Sequence, residues 1–246
     1  MKTLNSNTLK IILILLLVPI IFTGIHAKAD DTVTSQEIAL GENIAIVSSL
    51  NRYETISRKS AVKIETPLGS GSGTYFNFER RYVVITAAHV IGDFEEVTIL
   101  GRGEEKVKAK PILIDQDNDF AVLLPESPLK TRNPAKFKIS KKSAEDLVGK
   151  SIFYTGFPSL HDLLTLKGSV SGTSNGYLIL QSYAWKGASG SGVFDSNGNF
   201  VGVLTGVDIG QFDGVYHLIP SIVWIVPINK IDQDNLKLVI KSEDPV

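Results

Sequence analysis

A serine stands inside a run of glycines at Trp185-Lys186-Gly187-Ala188-Ser189-Gly190-Ser191-Gly192, directly before the apolar pair Val193-Phe194. Glycine lets backbone approach another group closely and takes φ > 0 without steric cost. A nucleophilic serine needs such a setting: its Oγ must be exposed, and backbone N–H groups must face the oxyanion that forms when it attacks a carbonyl. A Gly/Ser loop between two strands has the same composition, so the run alone does not separate a catalyst from a connector. The residues upstream do. A serine hydroxyl needs a base to take its proton, and an imidazole base needs a carboxylate to set its tautomer and stabilise the imidazolium. His89 ends Thr86-Ala87-Ala88-His89 after an apolar strand, and Asp119 stands at the mouth of another, Phe120-Ala121-Val122-Leu123. The chemistry these three could do is acyl transfer. Asp117 is the alternative acid, but Asp119 directly precedes the strand, whereas Asp115 and Asp117 read as turn-forming residues.

The elements that must carry these groups are short strands. Residues 62–64, 82–86, 97–100, 106–110, 112–114 and 120–124 show strand alternation or β-branched, aromatic content. Residues 125–134 hold three prolines and read as a linker. A second set follows at 151–154, 164–169, 177–181, 192–194, 200–204 and 215–218, with Asn197-Gly198 as a tight hairpin signal. Ser221 caps an expected short helix to about Ile231, distorted by Pro227, and the tail from Asp232 is largely polar. Gly69-Ser70-Gly71-Ser72-Gly73 lacks the Gly-Lys-[Ser/Thr] ending of a phosphate loop and reads as a turn. Many short strands in two sets with almost no helix predict an all-β molecule of two barrels or sandwiches. His89 and Asp119 fall in the first set and Ser189 in the second, so a cleft between the halves is where they would meet.

Thr86-Ala87-Ala88-His89, Asn118-Asp119-Phe120-Ala121-Val122-Leu123 and Gly187-Ala188-Ser189-Gly190-Ser191-Gly192 resemble the three signatures of trypsin-like (chymotrypsin-fold) serine proteases. The spacing is most similar to the bacterial branch that includes the HtrA/Deg proteases and the glutamyl endopeptidases. Residues 201–206 and 214–216 also resemble that family, and the likeness covers roughly residues 61–231. It implies two six-stranded antiparallel β-barrels, at about 61–125 and 146–219, with a short C-terminal helix at about 221–231. It implies a secreted serine endopeptidase in which Ser189 attacks the scissile carbonyl, His89 serves as base and then acid, and Asp119 orients His89. The N–H groups of Gly187 and Ser189 would form the oxyanion hole. The specificity pocket would have its base near Tyr183 and Ala184, with walls from Thr205, Gly206 and Val207 and from Val215-Tyr216-His217. No Asp stands at that base, so small or medium apolar residues are expected before the scissile bond, or an acidic one if His217 faces inward. Ala188 replaces the Asp that pairs with a new N-terminus in animal relatives, so no activation of that kind is expected. Gly192 stands where proline is usual, which should loosen the turn.

The N-terminus adds a location. Lys2 and Lys10 precede an apolar run at residues 11–22, followed by Ala27-Lys28-Ala29, the pattern of a signal peptide cleaved after Ala29. Cleavage takes the formal charge from −1 to −4, and residues 30–60 would form an arm packed on the domain, with a helix over 35–50. The run is short for a spanning helix, so membrane contact is expected only if the segment stays uncleaved. The protein is expected in a periplasm or outside the cell. The near-neutral charge argues against nucleic acid as a partner. Absence of cysteine removes thiol catalysis, and four scattered histidines offer no metal-binding spacing, so no cofactor or metal is expected. Fewer than twenty residues follow Ile231, too few for the peptide-binding PDZ domain of HtrA proteins. The partner expected is a peptide or protein substrate. An α/β-hydrolase would need the order Ser, acid, His and Gly two residues after the serine, where Ser191 stands. The non-enzyme alternatives are a catalytically silent chymotrypsin-fold binding or scaffolding protein and a structural β-sandwich.

Overall fold

The alternating stretches become strands in two closed sets. The computed structural model describes residues 49–159 and 161–243; the expected signal segment and nearly all of the helix expected over 35–50 lie outside them. The first set is β1 (Ala61–Thr66), β2 (Gly69–Phe78), β3 (Arg81–Thr86), β4 (Val97–Leu100), β5 (Lys106–Asp115) and β6 (Phe120–Pro125). Its neighbours run β1-β4-β5-β6-β3-β2, and β2 pairs back onto β1, closing an antiparallel barrel. A two-residue β7 (Ala135–Lys136) adds in parallel to the end of β2. The second set is β8 (Ser151–Gly156), β9 (Leu164–Ser174), β10 (Tyr177–Gln181), β11 (Gly192–Asp195), β12 (Phe200–Phe212) and β13 (Val215–Pro227). It closes in the order β10-β13-β12-β11-β8-β9.

Each barrel has its own apolar filling, with Val62, Ile64, Ile99 and Leu123 in the first and Leu178, Val193 and Ile225 in the second. A third cluster joins them. Phe76, Val83 and Phe120 from the first barrel pack with Phe153, Phe194, Phe200 and Val226 from the second. The Phe76 and Phe200 rings meet edge to face at 5.0 Å between centroids. A fully buried phenylalanine contributes roughly 1.5–3 kcal/mol, so this shared cluster fixes how the barrels face each other.

Three local expectations are corrected. The helix expected at 221–231 is instead the end of β13, followed by a short 3-10 turn at Ile228–Lys230, because Pro220 and Pro227 bracket a β-branched run whose Val223 and Ile225 alternate into the core. The helix lies further on, at Gln233–Ser242, where Asp232 caps it by accepting from the Asp234 and Asn235 N–H groups and Leu236 and Ile240 are buried one turn apart. A helix also occupies Arg52–Ser60, which we call α1. Its capping box is Asn51 with Glu54, and its buried face, Glu54, Ser57, Arg58 and Ser60, is polar, so no apolar period announces it. Finally, the run Gly69–Gly73 is not a turn but the first half of β2.

Candidate functional site

The groups singled out in the sequence come from three places where the barrels face each other. Buried Ala87 and Ala88 lead from β3 into a single helical turn, α2 (Ala88–Ile91), which carries His89. Asp119 precedes β6 at the end of a turn in which Asp115 accepts hydrogen bonds from the Asn118 backbone and side-chain N–H groups. Asp119 itself sits at φ +50°, a conformation that Asp tolerates better than most residues. Asp117 is exposed beside it and takes no part.

Asp119 grips His89 twice. The His89 backbone N–H donates to Oδ1 at 2.9 Å, and Nδ1 lies 3.0 Å from Oδ1 and 2.8 Å from Oδ2. A carboxylate at Nδ1 puts the ring proton there and leaves Nε2 as the acceptor. Both side chains are about one-fifth exposed, at 22% and 20%, so the pair is reachable from solvent.

Thr205 bridges this pair to Ser189. The pairing of β12 with β13 slips between Leu204 and Gly206, which leaves Thr205 as an extra residue without an opposite partner. Such a bulge re-aims side chain and backbone together. The Thr205 hydroxyl donates to Asp119 Oδ2, and its carbonyl accepts from Ser189 Oγ at 3.3 Å. Ser189 Oγ therefore points at Thr205, and no hydrogen bond joins it to His89 among the described residues.

The serine loop is clamped from the first barrel. Gly187 has φ +94°, and a Cβ there would lie 2.3 Å from the Phe157 carbonyl oxygen; Gly190 has φ +88°, and a Cβ would lie 2.1 Å from that of Ser72. Only glycine meets both demands. Ser72 of β2 holds the loop: its hydroxyl donates to the Gly187 carbonyl at 2.6 Å and accepts from the Phe157 N–H at 3.0 Å, and its N–H donates to the Ser189 carbonyl at 2.8 Å. Among the described residues, the N–H groups of Gly187 and Ser189 donate to nothing. Gly192 does not loosen the turn. Its N–H, which proline would lack, donates to Thr74 Oγ1 at 3.0 Å, and a Cβ would lie 2.4 Å from that atom.

The residues expected to form a pocket are only partly assembled. Tyr183 is 43% exposed and Ala184 is buried. The Tyr183 carbonyl accepts from the Tyr154 hydroxyl, whose phenol burial pushes well above its ordinary range, and the Ala184 N–H donates to the Pro220 carbonyl at 2.9 Å. Thr205, Gly206 and Val207 are half-buried beside Ser189 along β12. His217 is not with them. It pairs with Gly210 on an exposed hairpin, five residues or about 16 Å of strand beyond Thr205. The segment facing Tyr183 and Ala184 is Pro220–Ser221 instead. Nearby, burial raises the Tyr177 phenol, and the charges of Asp119 and Asp115 raise it further. No group of His, Asp and Glu among the described residues is arranged to hold a metal ion.

The model of the trypsin-like peptidase domain matches residues 71–203, more than half of the chain. The chain belongs to the trypsin-like peptidase domain family. It is 31% identical over 171 residues to Protease Do-like 1 of the Arabidopsis thaliana chloroplast, covering 64% of this chain and 38% of that protein. It is 29% identical over 165 residues to a probable periplasmic serine protease, do/HhoA-like, of Haemophilus influenzae, covering 62% and 34%. The chain thus spans little more than a third of the length of these curated relatives. The active form of the Rv3671c protease from M. tuberculosis shares its fold, with a TM-score of 0.62 at 18% identity over 83% of this chain and 89% of that one. Membership makes this a trypsin-like peptidase domain, and its two closed barrels are chymotrypsin-like. Within this trypsin-like peptidase domain, sequence reasoning missed Ser72 and gave Thr205 only a pocket role. The available signal for Ser72 was three small residues in a row, Gly71-Ser72-Gly73, inside a stretch that also reads as strand.

Proposed function

We propose that the protein is an exported serine endopeptidase that hydrolyses peptide bonds through an acyl-enzyme on Ser189. The observation that carries this reading is the unbroken path Ser189–Thr205–Asp119–His89 across the barrel interface. The Ser189 hydroxyl turns from the Thr205 carbonyl toward Nε2 of His89, a rotation between staggered positions about one bond. As Oγ bonds to the scissile carbon, its proton passes to Nε2 and the carbonyl electrons move onto oxygen. The Gly187 and Ser189 N–H groups, uncommitted in the described structure, receive that oxyanion. One such donor is worth about 3 kcal/mol of barrier. Collapse breaks the C–N bond, and the amine leaves with the proton from Nε2. Water then attacks the acyl group with His89 again as base.

An exposed Tyr183 next to a buried Ala184 supports a shallow pocket for a small or medium apolar residue. With His217 out on the hairpin, nothing favours an acidic one. Export, with cleavage after Ala29, rests on the sequence; no helix among the described residues is long and apolar enough to cross a membrane.

One observation favours a second reading, a catalytically silent binding protein: Ser189 Oγ is bonded to Thr205 and not to His89. A fluorophosphonate probe separates the two. Labelling that disappears in Ser189→Ala supports the peptidase; an unlabelled, folded protein supports the silent reading.

A further inference from the structure

The Gly187 N–H does not set its own direction. It shares one planar trans peptide with the Lys186 carbonyl, and the two point opposite ways. The Ser159 N–H donates to that carbonyl at 2.6 Å. Whatever holds Ser159 therefore also fixes where the Gly187 N–H points. Ser159 is exposed and sits at φ +60°, a left-handed conformation uncommon for a residue with a side chain. Such positions are strained and persist only where their surroundings hold them. Ala188 offers no carboxylate to a chain N-terminus, so an ion pair of that kind does not order this loop.

The polar face of α1 supplies a hold, because it grips both ends of the connection from β8 to β9. At one end the Ser57 hydroxyl donates to Thr155 Oγ1 at 3.0 Å, next to the last residue of β8. At the other, Arg58 Nη1 donates to the Leu163 carbonyl at 3.1 Å and to Thr165 Oγ1 at 3.5 Å. Thr155 and Thr165 meet each other at 3.1 Å, which ties the two ends into one polar unit. Glu54 adds an ion pair to Lys167 of β9 at 2.8 Å. Arg132 extends the grip toward the serine loop. Its guanidinium lies 5.9 Å from the centre of the Phe157 ring, and its Nη1 donates to the Arg58 carbonyl at 3.4 Å. The Phe157 carbonyl is the group that crowds Gly187. Arg58 and Arg132 are both buried, and hydrogen bonds from a charged donor are the strong ones.

We propose that α1 is a clasp for the oxyanion loop and that Arg58 is its positioning residue. With Arg58 in place, both ends of the β8–β9 connection are fixed, Ser159 is kept left-handed, and the Gly187 N–H is aimed where the oxyanion forms. Without it, Ser159 relaxes to negative φ, its N–H leaves the Lys186 carbonyl, and the Lys186–Gly187 peptide is free to turn. Arg58 bonds to the β8–β9 connection and to none of Ser189, His89 and Asp119. Its loss therefore shows in the chemical step and not in binding, as expected for an interaction that matters only in the transition state. This deepens the reading of Gly187 as an oxyanion donor and rests on it.

The test follows labelling by a fluorophosphonate probe over a range of concentrations, which separates the rate constant at saturation from the half-saturation concentration. Arg58→Ala should lower the rate constant about tenfold, part of the roughly 10²–10³-fold that losing an oxyanion donor costs. The half-saturation concentration should stay within about twofold. Arg58→Lys keeps a cationic donor and should recover most of the rate. Ser57→Ala removes one neutral hydrogen bond and should cost about threefold; it carries the test if Arg58→Ala does not fold. Hydrogen exchange gives the second reading: the Ser159 amide should lose protection in the alanine variants while the paired amides of β8 and β9 keep theirs. An unchanged rate constant, a loss carried by the half-saturation concentration alone, or a Ser159 amide that stays protected overturns the proposal. If the unsubstituted chain is not labelled at all, the peptidase reading fails by itself. Exchange at Ser159 then still decides whether α1 holds the loop.

Discussion

The first barrel contributes its candidate site residues from strand ends, and the second contributes its own from a loop. His89 and Asp119 leave β3 and enter β6, neighbouring strands of one closed ring, and they hold each other through three contacts. Ser189 sits between β10 and β11 in a loop whose carbonyls are held by Ser72 of the other barrel. His89 and Asp119 are therefore organised within their own barrel, whereas the Ser189 loop depends on a strand more than a hundred residues away. The contrast continues outward. The first barrel ends its strands in turns, while the second extends β12 and β13 into the exposed ribbon.

Five expectations test that division of labour. Ser189→Ala and His89→Ala should each lower kcat on a peptide substrate about a millionfold, and the double variant no further, since the groups act as one unit; additive losses would break the picture. Asp119→Asn should cost about 10⁴-fold in kcat by favouring the wrong imidazole tautomer, read from the same assay with circular dichroism as a check on folding. Phe200→Ala, in the cluster shared by both barrels, should cost about 3–5 kcal/mol. Calorimetry should still show one transition, and two would mean that the barrels are independent. Ser72→Ala should lower kcat about tenfold and leave KM within about twofold, because it releases the loop but touches no substrate.

The smallest effect concerns pH. Burial pushes the Tyr75 phenol in the first barrel up to about 12, and the Tyr154 phenol in the second higher still. A raised folded pKa gives stability that is whole below the unfolded value near 10 and is lost as pH rises through the folded one. Denaturant midpoints should fall between about pH 10 and 12, and Tyr75→Phe should flatten that part of the profile.

Much of this was legible in the chain. Strand alternation and turn residues announced two sets of short strands, and the residues around His89, Asp119 and Ser189 carried their own local signatures. What failed to read did so for physical reasons. α1 buries polar residues against the second barrel, through Ser57 to Thr155 and Arg58 to the Leu163 carbonyl, so apolar periodicity could not reveal it. Gly69–Gly73 looks like a turn because small residues serve turns and close strand contacts alike; a Cβ at Gly71 would lie 2.6 Å from Val90 and 3.1 Å from the Ser189 carbonyl oxygen. The β12–β13 pairing runs out to Phe212 and Val215, yet nothing local tells whether such a ribbon folds back into a core or stands in solvent.

By itself the sequence determined which residues could react and in which half each would lie, because side-chain chemistry and the period of strands are local properties. Only the tertiary structure decided which groups touch. Thr205 joins Asp119 to Ser189 because a bulge frees it from pairing, and His217 stands away from Tyr183 and Ala184 because the register of β12 on β13 carries it outward. Both outcomes depend on hydrogen bonds between strands, and register is a relation between two segments that neither one contains alone.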